Sequence, residues 1–139
     1  MTERLAALYR LWAALLFLVV LVQVGAAGYG AFYAAEKADP GPLQEKTFDH
    51  GFDFHNDFGY LVFYAAIILF ALALAARLGR KRVLWTLAAP IIVAIQIVLA
   101  WGGEDQPIVG IFHSLNALLV FGLTGLLAHR AWRGARSAT

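Results

Sequence analysis

The chain has no cysteine. Disulfides, iron–sulfur clusters, thiolate zinc sites and cysteine nucleophiles are thereby excluded. Charge is also scarce. Asp, Glu, Lys and Arg make up 14% of the residues, about half their share in a soluble globular domain. A soluble fold of 139 residues, 61% of them hydrophobic, could not cover its apolar surface with so few charges. The net charge is only +2, and the basic residues are not gathered on one segment, which argues against nucleic acid as a partner. The length fits one small domain, residues 1–139, and the composition places it in a lipid bilayer.

What the chain does have is four long runs without charge. Leu11–Ala35 spans 25 residues, Phe58–Ala76 19, Val83–Gly103 21 and Gln106–Ala128 23. A bilayer core takes roughly 20 apolar residues per helix. The runs are rich in Ala and Leu and lack apolar–polar alternation, so they predict helices, not barrel strands. The predicted spans are 9–35, 54–76, 83–102 and 107–129. The first could be misread as a signal peptide, with its basic start and small residues at Gly25–Gly28. Its apolar run, however, continues to Ala35, and it has a partner later in the chain.

Lys and Arg set the orientation. Nine of the eleven fall at the N-terminus, in the second spacer Arg77–Arg82 and at the C-terminus. The opposite side has Lys37 and Lys46 with eight of the nine carboxylates. Both termini are therefore expected in the cytoplasm. Trp12, Trp85, Trp101 and Trp132 lie near span ends, as in an interfacial aromatic belt. The Ala- and Arg-rich composition suggests a GC-rich bacterium, and hence the bacterial cytoplasmic membrane.

The chain repeats itself. Phe54-His55-Asn56 and Leu61-Val62-Phe63 open the second span; Phe112-His113-Ser114 and Leu119-Val120-Phe121 open the fourth. Val22-Gln23-Val24 in the first span aligns with Ile95-Gln96-Ile97 in the third. Two matches in the same order predict two helical hairpins related by an axis along the membrane normal. The expected fold is all-α, an up-down-up-down four-helix bundle. Its first outer connection, Glu36–Asp53, reads as a turn-rich excursion through Pro40, Gly41 and Pro42. The second and fourth spans are then diagonal, and His55 faces His113 in the outer half. Gln23 and Gln96 occupy the other diagonal.

Ionisable groups within a membrane are costly and mark candidate sites. His129, beside Arg130, reads as interfacial, and so does His50 taken alone. A repeated Phe-His at matching depth instead suggests one shared ligand. Zinc wants four donors, and two His with two Gln make a poor set. Haem iron wants two axial donors on opposite sides of a plane, which diagonal helices can supply. A haem also needs a flat slot. Gly59 follows His55 by four residues and Ala117 follows His113 by four; below them come Val62, Ala66, Val120 and Thr124. Close packing of membrane helices also uses small residues.

This pattern of His55-x-x-x-Gly59 on the second span and His113 on the fourth resembles one four-helix half of the haem A synthase family. More loosely it is similar to small b-type membrane cytochromes. The resemblance implies that His55 and His113 ligate haem b. It departs where the family's active half has a glutamate about one turn before the first histidine and an arginine just after it. Gly51, Phe52 and Asn56 stand there. Oxidation of the haem methyl group is not implied, and no catalytic residue is assigned.

Three functions follow as expectations. The first is electron transfer through haem b, with a quinone or an outer redox partner. The second is a membrane subunit or accessory protein without cofactor, and the third a proton-linked carrier. Against the third, the four charge-free runs hold no carboxylate, and Pro90 lies near a helix start. Gln23 and Gln96, the only amides in their spans, are expected to accept the second ring N–H of each histidine. The alternative is that each amide bonds a neighbouring backbone carbonyl. The segment Asp49–Asp57 reads as a solvated helix start, or as a metal or proton-uptake site using His50, Asp49 and Asp53.

Overall fold

A computed structural model describes residues 2–38 and 41–136. It is an all-α bundle of four helices: α1 (Thr2–Lys37), α2 (Glu45–Ala75), α3 (Arg80–Asp105) and α4 (Pro107–Arg136). α1 packs on α2 and α4, and α3 packs on the same two helices. Among the described residues, α1 with α3 and α2 with α4 form the diagonals. This is an up-down-up-down arrangement, with all four helices long and apolar enough to cross a membrane.

The bundle is held by a seam repeating at four and three residues. In α2 it runs Val62, Ala66, Leu69, Ala73; in α4, Val120, Thr124, Leu127, Ala131. In α1 it runs Tyr9, Ala13, Leu16, Val20, and α3 answers with Thr86, Ala89 and Val93. Such spacing keeps one narrow stripe of each helix turned to its neighbours. Leucines off the seam, such as Leu11, Leu18, Leu118 and Leu119, are exposed as in a lipid-facing surface. Continued outward, the seam reaches Gln23 in α1, His55 and Gly59 in α2, Gln96 in α3, and His113 and Ala117 in α4.

One polar link crosses the inner half of the seam. Thr86 Oγ1 donates to the Arg82 carbonyl at 2.9 Å, and Tyr9 Oη donates to Thr86 Oγ1 at 2.9 Å, joining the α1–α3 diagonal. Trp12 is turned inward: its Nε1–H donates to the Ala65 carbonyl at 2.8 Å. α2 ends in a Schellman motif, with Leu78 N–H on Ala73 O and Arg77 N–H on Leu74 O. Arg77 takes the left-handed position usually given to glycine, at φ 52°.

The helices run longer than the apolar spans. α2 in particular begins at Glu45, so Glu45–Asp53 is helix and not part of a turn-rich excursion. Carboxylates at a helix start meet the positive end of the dipole, which lets the acidic segment stay helical. The described non-helical residues of this connection are Ala38 and Gly41–Gln44, and Pro40 lies outside the described residues. Pro90 also differs from expectation. It lies inside α3, buried, ten residues past the first, and the helix runs on through it. α3 begins at Arg80 because its basic first turn, excluded from the apolar count, is already helical.

Each hairpin also has a close crossing of glycines. A Cβ on Gly30 would come within 2.8 Å of Gly51 O, and one on Gly103 within 3.2 Å of Gly110 Cα. Gly30 follows Gln23 by the same seven residues that separate Gly103 from Gln96. α1 runs 14 residues past Gln23 and α3 only nine past Gln96. At 1.5 Å per residue, the first hairpin projects about 7 Å farther.

Candidate functional site

The outer half of the seam opens into a cavity of about 520 Å³. Gln23, His55, Gly59, Gln96, His113 and Ala117 all line it. Its floor is Val20, Val62, Val93 and Val120. Tyr60, Trp101 and Glu104, all exposed, form a rim on the α2–α3 side. The volume lies within the ~300–1,000 Å³ usual for small-molecule sites.

His55 and His113 project from the diagonal helices α2 and α4, and their ring centroids are 6.4 Å apart at an interplanar angle of 69°. Neither ring is fully exposed. His55 Nδ1 lies 3.2 Å from the Gln23 carbonyl oxygen, and His113 Nδ1 lies 3.1 Å from that of Gln96. A carbonyl only accepts, so each Nδ1 carries the proton and each Nε2 keeps a lone pair. The same pairing thus recurs in both hairpins. It fixes the tautomer that leaves the lone pair on Nε2, the nitrogen through which many histidines bind metal.

The acceptors are the backbone carbonyls of Gln23 and Gln96, not the side-chain amides that the sequence suggested. The helix carbonyls reach the rings because each hairpin is drawn together by its glycine crossing. The amides do other things. Gln23 Nε2 donates to the His55 carbonyl at 2.7 Å and sits where a Cβ on Gly59 would be 3.2 Å away. Gly59 therefore makes room for this amide as well as lining the cavity. Gln96 Nε2 donates to His113 Nε2 at 3.0 Å, and Gln96 Oε1 accepts from Asn116 Nδ2 at 2.7 Å. Asn116 also donates to the Ile92 carbonyl at 2.9 Å.

The two halves differ at one point. Asn116 follows His113 by three residues; Phe58 follows His55 by three. Gln23 Oε1 is accordingly buried, with no hydrogen-bond partner among the described residues. A buried orphan acceptor beside a cavity calls for a donor from outside the chain, water or ligand. Sequence reading did not single out Asn116, Gly30 or Gly103. The shared seven-residue Gln-to-Gly spacing was the available signal for the glycines.

His50 Nδ1 contacts Asp53 Oδ2 at 3.3 Å, with both side chains more than 60% exposed. Among the described residues no three His, Asp or Glu groups converge on a metal-sized site. His129 is exposed at the opposite end and lines a separate hollow.

The chain matches no protein-family model, no curated protein and no solved structure. Its fold is a four-helix all-α bundle of membrane-spanning length, and its function has to be argued from the cavity.

The arrangement makes a measurable claim about Gln96. Gln96→Leu removes a donor from His113 Nε2 and leaves the Asn116 amide short of an acceptor. The Gln96 backbone carbonyl, and with it the hold on Nδ1, stays. Stability should fall by about 1–2 kcal/mol in thermal unfolding, as for a buried donor left unpaired. An unchanged midpoint would mean that the amide chain does not form.

Proposed function

We propose that this protein is a small multi-pass membrane protein that holds haem b between His55 and His113 and serves electron transfer. The observation that carries the reading is the pair of imidazoles facing each other from diagonal helices at a centroid separation of 6.4 Å. Two imidazoles sharing one metal, each bonded at about 2.0–2.1 Å, hold their centroids about 6 Å apart. The donor set also fits: two neutral imidazoles with fixed Nδ1–H groups, in an apolar cavity, suit an iron porphyrin better than zinc. Haem would supply a one-electron carrier whose potential depends on its axial ligands, their hydrogen bonds and burial.

The residues divide the remaining work. His55 and His113 would hold the iron. The carbonyls of Gln23 and Gln96 orient the rings and raise their basicity. Gly59 and Ala117 keep the walls beneath the histidines low. The Gln96 amide occupies the His113 lone pair, so ligation through Nε2 requires that amide to turn away. No side chain is assigned a catalytic role. The partner would be a quinone or a redox protein at the acidic face.

The orientation belongs to the same proposal: termini in the cytoplasm of a bacterium, acidic connections outside. It rests on nine of eleven Lys and Arg lying at one end. Reporter fusions after Arg82 and Arg136 should read cytoplasmic and one after Lys46 external; an external reading at Arg136 would reverse the topology.

The deciding experiment is a visible spectrum of protein purified after haem-replete expression. A Soret band with sharp reduced α and β bands is the expected result. Its absence would remove the haem reading. A second reading, a cofactor-free membrane subunit, is favoured by one observation: the chain Asn116–Gln96–His113 satisfies its polar groups internally. In that case the histidines and amides serve packing alone.

A further inference from the structure

The opposite end of the bundle contains a second cavity, of about 1120 Å³. Its lining includes Arg77, Arg80, Lys81 and Arg82 from the α2–α3 connection and the start of α3. Arg130 and Arg133 come from the last turns of α4. Among the described residues no carboxylate lines it. Glu3 is the one acidic residue at this end of the chain, and it is exposed. Among the described residues, Arg77, Arg80, Lys81, Arg82 and Arg130 gather around one hollow that no acid lines, and their charges repel one another. An anion seated there would relieve that repulsion.

The walls say which kind of anion. Leu78, Leu126, Leu127 and Ala131 give the hollow an apolar side. Trp85 is exposed at its edge, with the Arg130 guanidinium over the indole at 5.2 Å from the ring centroid. Tyr9, almost wholly buried, closes the floor. The hollow is thus basic where a headgroup would lie and apolar where acyl chains would begin. A free anion needs only the first feature. Exposed leucines continue away from it along α3 and α4, among them Leu84, Leu118 and Leu119.

The backbone adds to the charge. Arg82 and Val83 N–H groups bond Gly79 O, while Gly79 gives α3 no side-chain cap. Gly79 and Arg80 line the hollow, so the positive end of the α3 dipole lies beside it, while the negative end of α2 at the same place is capped by the Schellman motif. Arg77, held in the left-handed region by the Schellman motif, is fixed in position between the two helices.

We propose that this basic hollow is a binding site for the phosphate headgroup of an anionic phospholipid. The guanidinium groups of Arg80 and Arg130 contact phosphate oxygens, and the acyl chains lie along Leu126 and Trp85. Arg130 follows His113 by 17 residues on α4, about 25 Å at 1.5 Å per residue, and the site does not depend on what the outer cavity holds. Its chemistry is that expected of basic pockets between membrane helices facing an anionic leaflet.

The test uses the full chain in detergent, titrated with cardiolipin, phosphatidylglycerol or phosphatidylcholine and read by native mass spectrometry. The anionic lipids should bind at least tenfold more tightly than phosphatidylcholine. The double variant Arg80→Gln, Arg130→Gln should lose about thirtyfold of that affinity, as two charges at a lipid surface would. The pair Lys37→Gln, Lys46→Gln, at the other end, should lose none. Equal binding of all three lipids by the unaltered protein would overturn the site without any variant. Loss in the Lys37, Lys46 pair would overturn its location. Inorganic phosphate binding as tightly as cardiolipin would overturn the lipid as the source of the anion.

Discussion

If His55 and His113 hold haem b as proposed, replacing His113 with alanine should abolish that binding. His113 on α4 and His55 on α2 face each other across one cavity. Loss of one axial ligand leaves a single imidazole. Haem would then be lost, or held with the broad bands of five-coordinate iron. Changes to residues behind a metal ligand already cost 10–100-fold in affinity, so losing the ligand itself should cost on the order of a hundredfold or more. His55→Ala should behave alike, because each ring is fixed the same way, by a backbone carbonyl on Nδ1. His50→Ala and His129→Ala are the controls. His50 pairs with Asp53 on an exposed helix face, and His129 lies at the other end of the bundle. A reduced α band that survives unchanged in His113→Ala would defeat the assignment, even if the protein binds haem elsewhere.

The bundle was legible because membrane helices announce themselves by length of apolar run, and their order follows from short connections. The placement of His55 opposite His113 rested on more than hydropathy. It needed the repeat, which put each histidine at a fixed distance from a glutamine on the preceding helix. The seam explains why that sufficed. Once Val62, Ala66 and Leu69 face the core, a continuation at four and three residues brings Gly59 and His55 to the same face. Helix geometry thus carries the position of a side chain from the core to the cavity.

What the sequence hid was at the level of atoms and ends. The glutamines stand beside the histidines, but backbone carbonyls take the ring N–H groups. A residue letter does not say whether its side chain or its main chain will be used. The amides, freed of that task, cap the His55 carbonyl in one hairpin and the His113 lone pair in the other. That difference traces to Asn116, whose amide donates to Gln96 Oε1 and which has no equivalent in α2 because Phe58 stands there. The helical state of Glu45–Asp53 was hidden for another reason. Apolar runs mark where a helix can lie in lipid, and they are silent about helix that continues beyond it.

Gly30→Ala should be the most damaging small substitution in the first hairpin. Its new Cβ would lie 2.8 Å from Gly51 O and 2.7 Å from a Phe52 ring carbon. The ring can turn, but the carbonyl belongs to the α2 backbone, so α1 and α2 must move apart. Overpacking of this kind costs about 1–3 kcal/mol. Alanine's higher helix propensity offsets up to about 1 kcal/mol of that. The comparison that isolates the crossing uses the other glycines. A Cβ on Gly25 meets nothing within 4 Å, so Gly25→Ala should be neutral or slightly stabilising. Gly103→Ala should fall between them, since its nearest contact is 3.2 Å. Thermal unfolding in one detergent would rank the three, and equal midpoints for Gly30→Ala and Gly25→Ala would refute the crossing. Its consequence reaches the cavity through geometry alone. Gly51 precedes His55 by about one turn, so parting the helices there lengthens the 3.2 Å contact between His55 Nδ1 and the Gln23 carbonyl. The His113 contact in the second hairpin stays intact. Gly30→Ala should therefore loosen one imidazole and not the other, which makes the glycine crossing the device that holds His55 at its working angle.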